Sequence, residues 1–280
     1  MIPSEYGVNA IRGHRIAGRK GMKVSLYEVA KKSTRAILGK VGLDMARAER
    51  MKLLNNPAGS RRAIMLRYHG IQTVIDVGAN MGQYGNELRE WDFKGRIISF
   101  EPTSAAFRVL SERATADAYW SVFNFAVGAE NGVAEINVAS NWGASSSLMP
   151  MLESHRQCDQ EVQYVATEQV AIRTLDSALT GIVAPDEALL HKLDVQGFEH
   201  FVLRGATAIL PQVRVIECEL SFVPLYDGQL LFPQMLALLG TLGFQPVSFS
   251  PGFSHPVSGH CLQFDGVFAR MQETESPKIS

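Results

Sequence analysis

From about His69 onward the chain switches between two hydrophobic rhythms. Short runs rich in β-branched and aromatic residues at 73–77, 96–101, 120–127, 133–139, 189–194, 213–218, 244–249 and 262–269 predict strands. Between them, apolar residues recur at helical spacing over 83–91, 103–116, 174–179, 198–209 and 231–242. The run Thr73–Val77 is continuously apolar apart from Asp76, as a strand covered on both faces should be. Strands alternating with helices predict an α/β architecture built on a doubly wound, mostly parallel sheet. Ligands of such sheets sit at the carboxyl ends of the strands, so residues just after strands are the functional candidates.

From about Ser25 to His69 the pattern is helical. Leu26, Val29, Ala30, Ile37 and Leu38 share one period, a second stretch covers 44–54 before Asn55-Asn56-Pro57, and a third covers 60–68. Residues 1–20 show no period and are expected to be poorly ordered. The chain therefore divides into a helical N-terminal extension or cap, 1–59, and a domain over 60–280. The formal net charge of −1 conceals an asymmetry, because Arg and Lys strongly outnumber Asp and Glu before Gly70. That fits an arm packed on an acidic body, a surface for an anionic partner, or a solvated cationic face, and a homo-oligomer contact is a further expectation for this segment. Nucleic acid is not expected, since these basic residues are not interleaved with aromatics.

The most telling segment is Asp76-Val77-Gly78-Ala79-Asn80-Met81-Gly82-Gln83-Tyr84, followed by Ser99-Phe100-Glu101-Pro102. Glycines at a strand-to-helix turn let backbone approach a ligand where a Cβ would collide. Glu101 ends the next strand, where nucleotide-binding units place an acceptor for ribose hydroxyls. The G-x-G-x-x-G needed to cradle a pyrophosphate is absent, which disfavours an NAD-dependent oxidoreductase. Asp76 suits instead a nucleoside whose near end carries an ammonium or sulfonium, such as S-adenosylmethionine. A tight structural turn would by itself explain the glycines.

Composition narrows little further. At 46% apolar and 20% charged residues the chain is ordinary for a soluble globular protein. No apolar run reaches bilayer length, and Met1-Ile2-Pro3-Ser4-Glu5 lacks an apolar signal region, so a cytoplasmic location without a transmembrane segment is expected. Cys158, Cys218 and Cys261 are far apart, which argues for three buried, inert thiols and against a zinc ribbon or disulfide framework.

Four later segments add weight: Asn124-Phe125-Ala126-Val127-Gly128, Ser145-Ser146-Ser147-Leu148, Lys192-Leu193-Asp194-Val195-Gln196-Gly197-Phe198-Glu199, and Glu217-Cys218-Glu219-Leu220 leading to Pro224-Leu225-Tyr226. With the glycine turn, the Glu-Pro pair and Arg173-Thr174-Leu175-Asp176, their order over about 60–270 resembles the FkbM family of S-adenosylmethionine-dependent methyltransferases. The resemblance implies a class I methyltransferase (Rossmann-like) fold with an antiparallel last strand, and O-methylation of a hydroxyl on a sugar, polysaccharide or glycolipid. A natural-product (macrolide or polyketide) O-methyltransferase and a noncatalytic nucleoside-binding protein are the alternatives. It implies that Gly78, Ala79, Asn80 and Gly82 hold the methionine end with Asp76 and Tyr84. Glu101 would hold the ribose, Asn124, Ala126 and Ser146 would border the cofactor, and Asp194 would face the methyl group. Several family members carry Glu where this chain has Gln196, so no carboxylate is available there.

The chemistry adds its own demand. An alcohol has a pKa far above 7 and needs a base, or a metal, to take or weaken its proton. Asp194, Glu217 and Glu219 follow consecutive strands, so three roles stay open for them: oxygen ligands of a Mg²⁺-type ion, a metal-free base with its orienting partner, or structure. His255 and His260 flank a Pro/Gly-rich loop that could overhang the acceptor, which makes His255 a second candidate base. His191 reads as a core histidine and His200 as a helix-surface one. Tyr226, Asp227 and Trp142 are candidate acceptor contacts, with packing an equal account of Trp142.

Overall fold

The structure, a computed structural model, describes residues 56–270. Helix α1 (Pro57–Tyr68) leads into β1 (Thr73–Val77), α2 (Gln83–Glu90), β2 (Arg96–Phe100), α3 (Ser104–Ala114) and β3 (Trp120–Phe123). Next come β4 (Ala126–Val127), β5 (Gly132–Ala139), α4 (Glu153–Cys158), β6 (Tyr164–Arg173) and α5 (Leu175–Leu179). The remainder is β7 (Leu189–Leu193), α6 (Glu199–Arg204), a 3-10 turn, β8 (Val213–Ser221), α7 (Phe232–Thr241), β9 (Phe244–Pro251) and β10 (Gln263–Arg270).

Seven strands form one sheet in the order β3-β2-β1-β7-β8-β10-β9. Neighbours from β3 to β8 are parallel, and β10 runs antiparallel between β8 and β9. This is the expected class I methyltransferase arrangement, and the strand order reverses between β1 and β7. Strand periodicity explains the two covering layers. Ile75, Leu189 and Ile216 face a core closed by Leu175, Val202 and Leu239. Val74, Ile97, Leu190 and Val215 face the other, closed by Leu66, Leu88 and Leu110. Each such side chain contributes about 1.5–3 kcal/mol by burial.

A separate sheet, β4-β6-β5, projects from the segment after β3. The expected strand over 120–127 is broken there. Asn124 turns its amide onto the Glu101 and Pro102 carbonyls (2.9 and 3.0 Å), and Phe125 packs against Phe100 and Phe123. Strand β6 and helix α4 have no counterpart among the expected elements. The helix expected over 198–209 stops at Arg204. Asp176 then captures the backbone N–H groups of Ala208 and Ile209 at 3.0 Å each, which prevents a further helical turn. Of the expected helices before His69, α1 is present from Pro57, with Asn56 capping the Gly59 N–H at 2.7 Å. The periods at 25–41 and 44–54, and the expectation for 1–20, lie outside the described residues. No helix among the described residues is long and apolar enough to cross a membrane. All three cysteines are free, but only Cys218 is buried; Cys158 and Cys261 are half-buried.

Candidate active site

The turn after β1 brings backbone, not side chains, to the carboxyl edge of the sheet. Gly78 has a φ of +80° and lies against the backbone of Asp194; a Cβ on it would fall 1.8 Å from the Asp194 carbonyl oxygen. Asn80 also takes a left-handed conformation (φ 47°), and its N–H donates to Glu101 Oε2 at 2.9 Å. Gly82 starts α2 with a φ of +85°, where a Cβ would press on Leu110. Glu101 is buried, and its Oε1 also accepts from the Thr103 N–H and hydroxyl (2.8 and 2.6 Å). Burial pushes its carboxyl upward against these hydrogen bonds. The carboxylate is held rigid, and Oε2 keeps acceptor capacity for a hydroxyl.

A cavity of about 590 Å³ opens over this edge. It brings together Gly78, Ala79, Asn80, Tyr84, Glu101, Ala126, Ser146, Asp194 and Glu217 of the residues singled out from the sequence. Phe125, Val127, Ile136 and Leu148 supply an apolar wall near Ala126. Opposite lie Arg62, Glu87, Lys192 and Asp265. The volume is that of a pocket for a small organic ligand.

Other expected site residues lie elsewhere. Asp76 is fully buried beneath the cavity. Its Oδ2 accepts from Ser99 Oγ at 3.1 Å while Oδ1 has no partner among the described residues, and Asp76 is not among the residues lining the cavity. Burial, partly opposed by Lys192, pushes its carboxyl up to about 6. Gly82 and Asn124 also lie outside the lining and act by shaping the turn and holding the Glu101-Pro102 backbone. His255 is not a cavity residue either. Its Nδ1 accepts from the Val257 and Ser258 N–H groups, 3.2 Å each, which makes it a turn former. His200 is buried against Phe201 and not on a surface. Tyr226 is also completely buried, whereas Trp142 is 82% exposed and so has no packing role among the described residues.

The three acids expected as metal ligands are occupied by protein partners. Glu217 makes a two-point ion pair with the Arg62 guanidinium and accepts from the Tyr84 hydroxyl at 3.0 Å. Glu219 Oε2 accepts from the Gln196 and Gln263 amides (2.8 and 3.0 Å). Asp194 accepts from Lys192 Nζ at Oδ2 and from Gln196 Nε2 at Oδ1, 2.8 Å each. Among the described residues no group of three or more His, Cys, Asp and Glu side chains is arranged to hold a metal ion. The expectation of a Mg²⁺ cluster therefore fails on the donor set, because Arg62 takes both Glu217 oxygens.

Charge alternates across the sheet at one level. Asp76, Lys192 and Glu217 are register partners on β1, β7 and β8, and Arg62 from α1 closes the row. Burial works against the Glu217 carboxylate, but the Arg62 guanidinium, the Tyr84 hydroxyl and Lys192 outweigh it and hold it below its usual range. Burial likewise opposes the Lys192 ammonium, and Asp194 and Asp76 outweigh that. Asp194 is the more accessible acid: its side chain is 37% exposed, against 8% for Glu217. Sequence pattern alone assigns no role to Arg62 or Lys192. Nothing local to α1 marks Arg62, whose partner lies on β8.

Strand order, glycine turn and a cavity spanning both sides of the switch point define a class I methyltransferase. Residues 76–246 match the family described as the methyltransferase FkbM domain, and the chain belongs to that family. It is 28% identical over 174 residues to the 2-O-methyltransferase NoeI of Sinorhizobium fredii (strain NBRC 101917 / NGR234), covering 59% of this chain and 70% of NoeI. Among solved structures, a putative RNA methyltransferase from Pyrococcus horikoshii aligns with a TM-score of 0.42 at 12% identity, over 77% of this chain and 85% of that one. The 1,6-didemethyltoxoflavin-N1-methyltransferase of Burkholderia thailandensis aligns with a TM-score of 0.41 at 12% identity, over 91% and 95%.

Proposed function

We propose that this chain is an S-adenosylmethionine-dependent O-methyltransferase acting on a hydroxyl of a sugar, polysaccharide or glycolipid. The observation that carries the reading is the cavity joining the Gly78–Asn80 turn and Glu101 to Asp194. The cofactor fits what is present. The turn at Gly78–Asn80 presents backbone to the cavity, Glu101 is a braced hydroxyl acceptor, and Phe125 with Leu148 offers an apolar wall for a purine. When bound, the cofactor supplies an electrophilic methyl group on a cationic sulfur.

The residues of the chain then have two tasks. Glu101 and the backbone of the turn fix the ligand's orientation, and such alignment can lower the barrier by about 7–11 kcal/mol. Asp194, the accessible carboxylate, takes the proton of the acceptor hydroxyl as its oxygen attacks. Lys192 donates to Oδ2 at 2.8 Å and so fixes the orientation of the carboxylate. Glu217 serves as the counter-charge of Arg62 and not as a base. Transfer to an oxygen is supported by the likeness to NoeI, a 2-O-methyltransferase.

The test is a screen of neutral glycosides, polysaccharide fragments and glycolipids with methyl-labelled S-adenosylmethionine, with and without chelator, on wild type and Asp194→Asn. Label transfer to a hydroxyl, insensitive to chelator and reduced at least about a hundredfold in Asp194→Asn, is expected. Full activity of Asp194→Asn would remove the assignment of the base. Cofactor binding with no transfer to any acceptor would favour a noncatalytic role.

A further inference from the structure

Behind Asp194 lies a hydrogen-bonded chain that none of the roles above uses. Gln196 sits two residues on, 8% exposed, in a left-handed conformation (φ 53°) that non-glycine residues rarely adopt. Its backbone carbonyl accepts from Ser147 Oγ at 2.8 Å, which pins the unusual conformation to the loop over the cavity. Its side-chain amide is fully committed. Nε2 donates to Asp194 Oδ1 and to Glu219 Oε2, 2.8 Å each, and Oε1 accepts from the Tyr226 hydroxyl at 2.7 Å.

The acceptor oxygens of Asp194 and Glu219 take the N–H end of the amide, which leaves its carbonyl to accept from the Tyr226 hydroxyl; that hydroxyl also lies 3.4 Å from the Ser145 carbonyl. Tyr226 itself is wholly buried, and its ring packs edge-on against His155, so the hydroxyl has little freedom. Glu219 is held from its other side by Gln263. The chain Tyr226–Gln196–Asp194 thus runs from a rigid core residue to the carboxylate that faces the cavity.

We propose that Gln196 is the positioning residue of this enzyme: locked by Tyr226, its amide donates to Asp194 and Glu219 at once and holds the Asp194 carboxylate aimed into the cavity. The inference rests on the reading of Asp194 as the acceptor's base. An amide suits the position because it gives a donor to each acid without adding charge. A glutamate there would place a further carboxyl among Asp194, Glu199, Glu219 and Asp265, with Lys192 as the nearby cation.

The experiment is a ¹³C-carboxyl NMR titration of Asp194 in the full chain, assigned with Asp194→Asn, for wild type, Gln196→Leu and Tyr226→Phe. Loss of one charge-stabilising hydrogen bond should raise the Asp194 midpoint by about one to two pH units in Gln196→Leu. Tyr226→Phe, which keeps the ring, should raise it by less. On an acceptor found by the screen, both variants should lose kcat and shift the acidic limb of the pH profile by the same amount, with S-adenosylmethionine affinity unchanged. An unmoved midpoint and pH profile in both variants would overturn the proposal while leaving Asp194 as base. If Gln196→Leu does not fold, the Tyr226→Phe midpoint decides alone. Undiminished turnover of Asp194→Asn would overturn the base assignment and this inference with it.

Discussion

Gly78 and Asp194 touch through backbone alone: the Cα of one lies so close to the carbonyl of the other that a Cβ would come within 1.8 Å of its oxygen. The turn that would hold the cofactor and the residue proposed to take the proton are therefore one rigid contact between adjacent strand ends, with the Asp194 N–H also bonded to Val77 O at 3.0 Å.

Gly78→Ala should therefore destabilise the protein by at least about 3 kcal/mol, combining an overpacked backbone contact with a left-handed alanine. Gly70 supplies the control, since it has a φ of +61° and nothing within 4 Å of where a Cβ would stand. Gly70→Ala should cost about 1–2 kcal/mol from conformation alone. Urea unfolding of the two variants would show equal losses if the close approach were unimportant.

Glu101→Gln should weaken S-adenosylmethionine binding more than tenfold, the scale of one hydrogen bond to a charged group. Asp76→Asn should change it less than about threefold, because Asp76 lies beneath the cavity and not on its surface. Calorimetry showing the reverse order would exchange the two roles.

The Arg62–Glu217 pair is buried at both ends, with 10% and 8% of the side chains exposed. Without Arg62, Glu217 keeps only the Tyr84 hydroxyl and Lys192 against its burial, whereas Arg62 also pairs with Glu87 at 2.6 Å. Arg62→Met should cost about 3–5 kcal/mol, and Arg62→Met with Glu217→Leu should recover most of that. A double-mutant cycle by thermal or urea unfolding measures the coupling; strictly additive losses would mean that the two charges do not sense each other.

Glu199 is buried and pushed up to about 7 by desolvation, despite accepting from the Val195 and Gly197 N–H groups. Its folded pKa exceeds its ordinary value near 4.5, so the native state binds the proton more tightly. The contribution is complete below about pH 4.5 and is lost as pH rises through about 7. Glu199→Gln should leave stability at pH 4.5 unchanged and raise it at pH 8 by about 2–3 kcal/mol. Melting curves at the two pH values check this, and an equal shift at both would point to packing instead.

His191 runs the other way. It is fully buried with neither ring nitrogen partnered among the described residues, and burial pushes it down to about 3. Its stabilising contribution is present above about pH 6.5 and is lost as pH falls towards 3. Replacing it with Leu, which matches neighbours Ile75 and Ile216 in register, should raise stability by about 1–3 kcal/mol at pH 7, and by more at pH 5. A loss of stability in His191→Leu would show that the imidazole has a partner after all.

What the sequence made legible was whatever local pattern dictates. Thr73–Val77 is buried at every position, and its apolar run announced it. Strand β6 escaped because Val170 is the one buried residue along Tyr164–Arg173, so no hydrophobic period marks it. Gly78 and Glu101 could be found by their offset from strands, since a strand-to-helix turn fixes both. Arg62 could not, because the charge it neutralises lies 155 residues away and only the folded sheet brings them together. Asp76 is placed for a related reason: it sits inside β1, fully buried and outside the cavity lining, a distinction that depends on where the strand ends.

The placement of β10 governs how the protein can be made. A ribosome delivers β8 and β9 first, yet these strands never pair with each other; the strand that separates them comes last of the described elements. Until Arg270 has emerged, β8 presents an unpaired edge and β9 has no neighbour, which is the state most open to wrong pairing between chains. Any truncation within residues 263–270 would leave that edge permanently open. The integrity of the fold, and of the Glu217 and Glu219 positions that β10 pins by register, therefore waits on the emergence of β10.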